Sequence, residues 1–298
     1  MKYIVSGGTG FIGSRLVNAL LKDDHYVAVW SRTPGKERRT AVQSFYWDPL
    51  QGEPQEESIS GFDAVIHLAG EPVAQRWDDE VKRKIRDSRI LGTRRLVAAI
   101  SKVQHKPAAL ICSSATGYYG SRGDEVLTEA SQPGKGFLAD VCAGWESEAD
   151  GAAGLGLRVV KIRTGIVLGR DGGALKQMLP AFLAFAGGTL GSGKQWMPWI
   201  HVDDLVGMYQ FALANAVSGA LNGTAPKPVT NAQFTHELGK ALHRPAFLTV
   251  PPFALHALYG EMAQVVLEGQ RAVPQAAQGA GFSWRFPALG EALRDLLD

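Results

Sequence analysis

The chain is predicted to fold as an α/β protein around a doubly wound parallel sheet, with a smaller region added toward the C-terminus. Three observations predict it. Short apolar runs alternate with longer stretches of helical spacing through the first half of the chain, the pattern of strands joined by crossover helices. The runs are apolar on both faces, as strands buried between two helical layers require. A glycine-rich turn joins the first apolar run to the first helical stretch.

Lys2 to Ser6 reads as the first strand. Phe11 to Lys22 follows, with Ile12, Leu16, Ala19 and Leu20 at helical spacing. Tyr26 to Trp30 and Ser44 to Trp47 are the second and third strands, and Asp63 to Leu68 the fourth. A long helix covers about Asp78 to Ser101. Ala108 to Ser113 is the fifth strand. A loop rich in glycine and serine, a helix over Phe137 to Ala152 and a strand over Arg158 to Arg163 come next. Past Gly165 the character changes. Gly172-Gly173, Gly187-Gly188 and prolines 226, 228, 251 and 252 punctuate shorter elements. The expected division is 1–165 for the sheet domain and 166–298 for the smaller substrate-side region, with some later elements returning to the sheet. Leu289, Ala292, Leu293 and Leu296 fall at helical spacing near the end and are expected to pack.

With 298 residues, 45% of them hydrophobic, the chain can bury a large core. Its 31 basic and 29 acidic residues leave a net charge of +2, against a dedicated nucleic-acid binder, which gathers a basic excess on one face. The basic run Lys82 to Arg95 is interleaved with Ile85, Ile90 and Leu91 and reads as a solvated helix face. Cys112 and Cys142 make neither a disulfide framework nor a zinc spacing. No signal peptide is read at the N-terminus, and no apolar run approaches the ~20 residues of a membrane span. A cytoplasmic protein with a small-molecule partner is expected, and a homodimer is one assembly open to it.

Ser6-Gly7-Gly8-Thr9-Gly10-Phe11-Ile12-Gly13 follows a strand and opens an amphipathic helix. That context gives the glycines their meaning. The early ones make a tight turn, Gly10 lets backbone approach a pyrophosphate, and Gly13 permits close helix–strand packing. The helix start offers unpaired N–H groups and a positive dipole end. A Rossmann-type dinucleotide site is therefore expected, with Gly7, Gly10, Phe11, Ile12 and Gly13 at the phosphates. After the second strand, Ser31 and Arg32 stand where an NAD-preferring site usually places an acid. A guanidinium there can hold a 2′-phosphate through charge-assisted bonds, so NADP(H) is expected rather than NAD(H).

Nearly the whole chain resembles the extended short-chain dehydrogenases/reductases, the group of nucleotide-sugar epimerases and dehydratases. Gly7 to Gly13, Leu68-Ala69-Gly70, Ser113-Ser114-Ala115 and Ile200 to Asp204 carry the likeness. A narrower likeness, to an atypical "epimerase family" branch with its own C-terminal module, rests on four segments. These are Leu68 to Pro72, Ser114 to Gly120, Gly191 to His201 and Glu268 to Pro274. The resemblance implies that Leu68, Ala69 and Gly70 border the cofactor, that Val167 lies beside the nicotinamide, and that Lys84 and Arg89 reach the cofactor. Arg89 falls where extended members place an Asn.

The superfamily's usual enzyme works by Tyr-x-x-x-Lys with a Ser or Thr, the cation lowering the tyrosine pKa. No tyrosine in this chain has a lysine four residues later. Aligning on Glu146 puts Leu138 and Cys142 at the two positions. Ser114 matches the family's serine, and Tyr118 and Tyr119 follow it closely, with Arg122 as a candidate cation for Tyr118. Three readings stay open: proton transfer by Ser114 with Tyr118 or Tyr119, another reaction altogether, or cofactor binding without catalysis. A tyrosine without help is almost fully protonated at pH 7 and is a poor base. On the substrate side Trp199, His201 and Arg271 are candidates. The alternatives are core packing for Trp199, a structural role for His201, and Asp203 as a helix cap.

Overall fold

A computed structural model describes residues 1–35 and 42–298. The first unit runs β1 (Lys2–Ser6), α1 (Phe11–Lys22), β2 (Tyr26–Ser31), β3 (Gln43–Tyr46), β4 (Ala64–His67), α2 (Asp79–Lys102) and β5 (Ala109–Ala115). Then come β6 (Val126–Leu127), α3 (Phe137–Asp150), β7 (Arg158–Thr164), β8 (Ile166–Leu168) and α4 (Gly173–Leu183). They are followed by β9 (Gly188–Leu190), β10 (Trp196–Met197), β11 (Trp199–His201), α5 (Val202–Ala214) and β12 (Gly219–Gly223). The remainder is β13 (Val229–Thr230), α6 (Asn231–Ala241), β14 (Leu248–Val250), α7 (Pro252–Tyr259), α8 (Ala263–Leu267), β15 (Arg271–Ala272), α9 (Gln275–Gly279) and α10 (Leu289–Leu297).

Seven strands form one parallel sheet in the order β12-β7-β5-β4-β1-β2-β3. β1 pairs with β2 on one side and β4 on the other, with Ser6 level with both Trp30 and His67. The chain order reverses at this strand, which opens a crevice at its carboxyl end. α1 and α5 cover one face. Leu16, Val17 and Leu20 meet Leu205, Met208 and Tyr209 there, all essentially without solvent contact. α2 and α3 cover the other face, through Leu96, Ala99 and Ile100 against Trp145 and Ala149. Each such side chain contributes roughly 1.5–3 kcal/mol by leaving water.

β12 lies beyond the expected division at 165 and belongs to the sheet. This strand returns to the sheet beside β7, with Leu221 level with Ile162, and α5 packs on α1. The sheet domain therefore reaches Gly223, and only α4 with its neighbours and the segments after β12 lie outside it. These build a third core in which Leu175 and Phe182 meet Phe234, Leu238, Leu289 and Leu293. Leu289, Ala292, Leu293 and Leu296 all face inward, as their spacing predicts.

The cap of α5 is also corrected. His201, not Asp203, precedes the helix, and its Nδ1 accepts the Asp203 N–H at 3.1 Å. Buried Asp204 instead accepts the backbone N–H groups of Arg285 (2.7 Å) and Phe286 (3.0 Å), pinning the C-terminal segment to the sheet domain. Among the described residues no helix is long and apolar enough to cross a membrane, and no cluster of metal-ligating side chains exists.

Truncating a fully buried leucine leaves a cavity as well as losing transfer energy. Leu293→Ala, in the core that α10 shares with α6, should cost about 2–5 kcal/mol in urea unfolding. A loss under ~0.5 kcal/mol would mean that α10 is not a working part of that core.

Candidate functional site

The turn after β1 is shaped by contacts that only glycine permits. Gly7 has φ +69°, and its N–H side lies against the Leu68–Ala69 backbone, where a Cβ would come to 3.0 Å. Gly10 N donates to Gly7 O at 3.0 Å, closing the turn. A Cβ on Gly13 would overlap the Gly7 carbonyl, so α1 can press onto β1 only with glycine there. No side chain caps α1 and no acid lies in its first turn. Its N-terminus is thus free of the groups that usually quench it, and it suits a phosphate. Phe11 and Ile12 are half-buried on that first turn.

Beneath the turn lies a closed polar network. Ser6 Oγ accepts the N–H groups of Leu68 (3.1 Å) and Ala69 (3.2 Å) and sits 2.6 Å from His67 Nδ1. With two bonds accepted, the Ser6 hydroxyl gives its proton to Nδ1. The remaining ring proton is then on Nε2, 3.1 Å from Thr93 Oγ1. Burial, with the Arg89 charge nearby, pushes the His67 pKa down to about 3. A neutral imidazole therefore fixes the Leu68–Ala69 backbone against the turn.

At the end of β2, Ser31 Oγ accepts the Thr33 N–H, and Arg32 is exposed with no ion-pair partner among the described residues. Leu68, Ala69 and Gly70 follow β4 directly. Gly70 makes room for Arg89, whose guanidinium carbon would lie 3.1 Å from a Cβ there. Arg89 Nη1 donates to Glu71 O (2.9 Å) and Ile85 O (3.2 Å), and the guanidinium stands 5.2 Å from the Trp145 ring. Burial lowers its pKa, while Cys142 and Glu71 oppose that. Lys84 stays apart from this group. Its Nζ pairs with Glu80 at 2.7 Å on the exposed face of α2, and that bond raises its pKa. Val167 is nearly buried in β8, level with Ile200.

The three proton-transfer candidates separate. Ser114 is buried and donates to Glu146 Oε1 at 2.7 Å. Arg163 binds the same carboxylate twice, Nε to Oε1 and Nη2 to Oε2, each at 2.8 Å. Its Nη1 donates to the Tyr119 hydroxyl at 2.9 Å, and that hydroxyl donates to Asn222 Oδ1 at 2.7 Å. Tyr119 is completely buried, and burial pushes its pKa up to about 12. It is a core residue, which corrects its place among the proton donors. Tyr118 is half-buried with its ring centroid 3.5 Å from the Arg163 guanidinium, and no described residue bonds its hydroxyl. The expected Tyr118–Arg122 pair does not form, because Arg122 is held by Glu125 (2.9 Å) and Gln132 O (3.1 Å). On α3, Leu138 and Cys142 both lie against Gly117, and burial pushes the Cys142 thiol up to about 12.

Two of the three substrate candidates are structural. Trp199 is fully buried and its indole N–H binds Lys227 O at 3.0 Å. His201 is buried, caps α5 and stacks 4.0 Å from the Phe286 ring. Arg271 remains at the surface, 4.5 Å over the Trp196 ring, while Trp196 donates to Asp124 at 2.7 Å. Beside it, Thr116 donates to Gln270 Oε1 at 3.3 Å. Arg271, Trp196, Gln270, Thr116 and Tyr118 thus come from β15, β10 and the turn after β5, with Arg271 paired onto β6.

A profile of the NAD dependent epimerase/dehydratase family matches residues 3–224, ending just past β12. The chain belongs to that family. A domain of unknown function (DUF1731) matches residues 250–296. An Arabidopsis thaliana protein named epimerase family protein SDR39U1 homolog, chloroplastic, is 44% identical over 302 residues, covering 100% of this chain and 87% of its own. Homo sapiens epimerase family protein SDR39U1 is 38% identical over the whole of both chains. Among solved structures, human epimerase family protein SDR39U1 (isoform2) with NADPH superposes with a TM-score of 0.88, at 36% identity and 99% of each chain. A UDP-glucuronic acid 4-epimerase from Bacillus cereus with NAD superposes at 0.79 with 20% identity, over 99% and 95% of the two chains, a likeness of fold alone.

Within this site, Arg163 and His67 carry more than their motifs announce. The signal for Arg163 is an arginine directly after Ile162 near the end of a central strand, where a buried charge needs a partner. His67 likewise ends a strand with no polar neighbour in sequence.

The His67 pKa lies below its ordinary value of 6.5 in the folded chain. Above pH 6.5 the neutral network contributes in full. Between pH 6.5 and about 3 the unfolded chain takes up a proton that the folded chain refuses, so stability falls. Urea unfolding at stepped pH should show this slope in wild type and a flatter profile in His67→Gln. Parallel profiles would refute the neutral-histidine assignment.

Proposed function

We propose that the chain is an NADP(H)-dependent oxidoreductase or epimerase-like enzyme acting on a small carbonyl or hydroxyl substrate. One observation carries the cofactor reading: an uncapped, acid-free helix start lies at the crevice, and an exposed Arg32, with no ion-pair partner among the described residues, follows the adjacent strand. Gly7, Gly10 and Gly13 let the turn close tightly against α1 and the Leu68–Ala69 backbone, which suits a pyrophosphate at the helix start, and Arg32 with Ser31 suits a 2′-phosphate. The crystallised human relative carries NADPH, which supports the same choice. When bound, the nicotinamide supplies or accepts the hydride.

The chain's own groups divide the remaining work. The Tyr118 hydroxyl is the proton donor this reading selects, since it alone of the three candidates is neither buried nor already bonded. Ser114 gives its proton to Glu146, so its oxygen can only accept, which suits a substrate hydroxyl better than a carbonyl. Arg89 brings a fixed cation close to Cys142, where the superfamily's lysine would stand. Arg271 on Trp196 suits an anionic part of the substrate.

A second reading, a non-catalytic NADP(H)-binding sensor, is favoured by Leu138 and Cys142, which line Gly117 with groups unable to exchange a proton near neutrality. Fluorescence titration separates the parts. NADPH should bind more tightly than NADH, and Arg32→Ala should weaken NADPH by about 10- to 100-fold, the range of a charged hydrogen bond. Equal affinities unchanged by the mutation would overturn the NADP(H) choice. For catalysis, any carbonyl reductase activity should drop steeply in Tyr118→Phe and less in Ser114→Ala. Tight binding with no turnover across a broad carbonyl panel would favour the sensor.

A further inference from the structure

Residues 169–173 connect β8 to α4 and run over the start of α1. Phe11 is the first residue of that helix, at the phosphate end of the crevice. Its ring is boxed by three glycines. A Cβ on Gly169 or Gly172 would overlap the ring, and one on Gly173 would come to 3.1 Å. Gly173 also has φ +68°, which favours glycine by itself. Gly169 and Gly172 do not: neither has a positive φ, and Gly172 is plainly extended at −166°. What requires glycine at those two positions is the ring of Phe11.

The segment is fastened as well as seated. Arg15, one turn along α1, lies 4.5 Å over the Phe11 ring, donates to Phe11 O at 3.1 Å, and forms an ion pair with Asp171. A bridge between Leu168 and Gly173 closes the segment at its base. One side of it therefore follows directly on Val167, and the other grips the helix start that faces the phosphates.

We propose that residues 169–173 form a clamp on the dinucleotide site, seated on Phe11 and latched by Arg15–Asp171, which sets the rate of cofactor release. The inference rests on the reading of the chain as an NADP(H) binder. The latch suits repeated opening. Asp171 is 68% exposed and Arg15 29%, and an exposed pair holds too weakly to lock a segment shut. The glycine seat, by contrast, fits the ring only when closed.

The test is stopped-flow release of NADPH, followed by its fluorescence on chase with excess NADP⁺. Asp171→Asn, on the surface, should speed release about two- to fivefold, the range an exposed ion pair allows. The gap between this variant and wild type should shrink at high salt. Gly172→Ala forces the segment off the ring and should speed release more. Adding Phe11→Ala to Gly172→Ala removes the overlap, so the double variant should gain nothing from the added alanine over Phe11→Ala alone. Unchanged release in Asp171→Asn and Gly172→Ala, with NADPH still bound, would overturn the clamp alone. Failure of wild type to bind NADPH would overturn it together with the cofactor reading.

Discussion

A guanidinium buried at the carboxyl end of β7 organises the polar network beside the turn after β5. Removing such a charge from water costs several kcal/mol unless its donors are all matched. Arg163 matches them with both oxygens of Glu146, the Tyr119 hydroxyl and the Glu129 carbonyl, and lays its face under Tyr118. The rest follows by exhaustion of partners. Glu146, needed for the charge, also takes the Ser114 proton. Tyr119, needed for one donor, passes its own proton to Asn222, whose amide reaches Val273 O at 2.9 Å. Glu129 binds the backbone of Asn222 and Ala276 with its two oxygens. One ion pair thus joins the sheet edge to the C-terminal segment and, among the described residues, leaves the Tyr118 hydroxyl without a partner.

The phosphate half is held by the opposite device. His67 is buried neutral, between a hydroxyl that donates to it and one that accepts from it. No charge has to be neutralised there, which matters beside a site meant for phosphates. A buried carboxylate under the turn would repel them, and a buried cation would bind them without regard to geometry. The neutral ring positions backbone N–H groups through Ser6 and leaves the dipole of α1 unopposed.

The sheet, its helices and the glycine turn were legible because each depends on local pattern: period, apolar runs and residues lacking Cβ. Strand ends agreed to within a residue or two, the usual scatter of such ends. Which later element returns to the sheet was not legible, because β12 is short and rich in glycine and asparagine, so nothing local marks Gly219–Gly223 as the seventh strand. The site was legible only where backbone chemistry decides. His201 and Trp199 look like substrate groups in sequence, because a polar tip and a large ring do not reveal which way they face. Tyr118 and Tyr119 are adjacent in sequence, yet one faces the crevice side of Arg163 and the other the core. Gly172 reads as punctuation, since the ring that demands it is more than 150 residues away in the chain.

The lost Tyr-x-x-x-Lys pair is best understood through Arg89. Cys142 stands at the lysine position, and each of Cys142 and Arg89 lies close enough to shift the other's ionisation. A lysine at 142 would bring a second cation against Arg89 in a poorly solvated space, where like charges repel strongly. The family's usual Asn at position 89 carries no charge and would leave room for that lysine. The two departures from the family pattern therefore belong together: the cation that acts most on Cys142 comes from α2 instead of α3. That exchange moves the charge away from any tyrosine at 138, so a tyrosine there would have lost the partner that makes it useful. Leu138 is consistent with Arg89, and the half-buried tyrosine of this region stands instead in the turn after β5, where Tyr118 lies on Arg163.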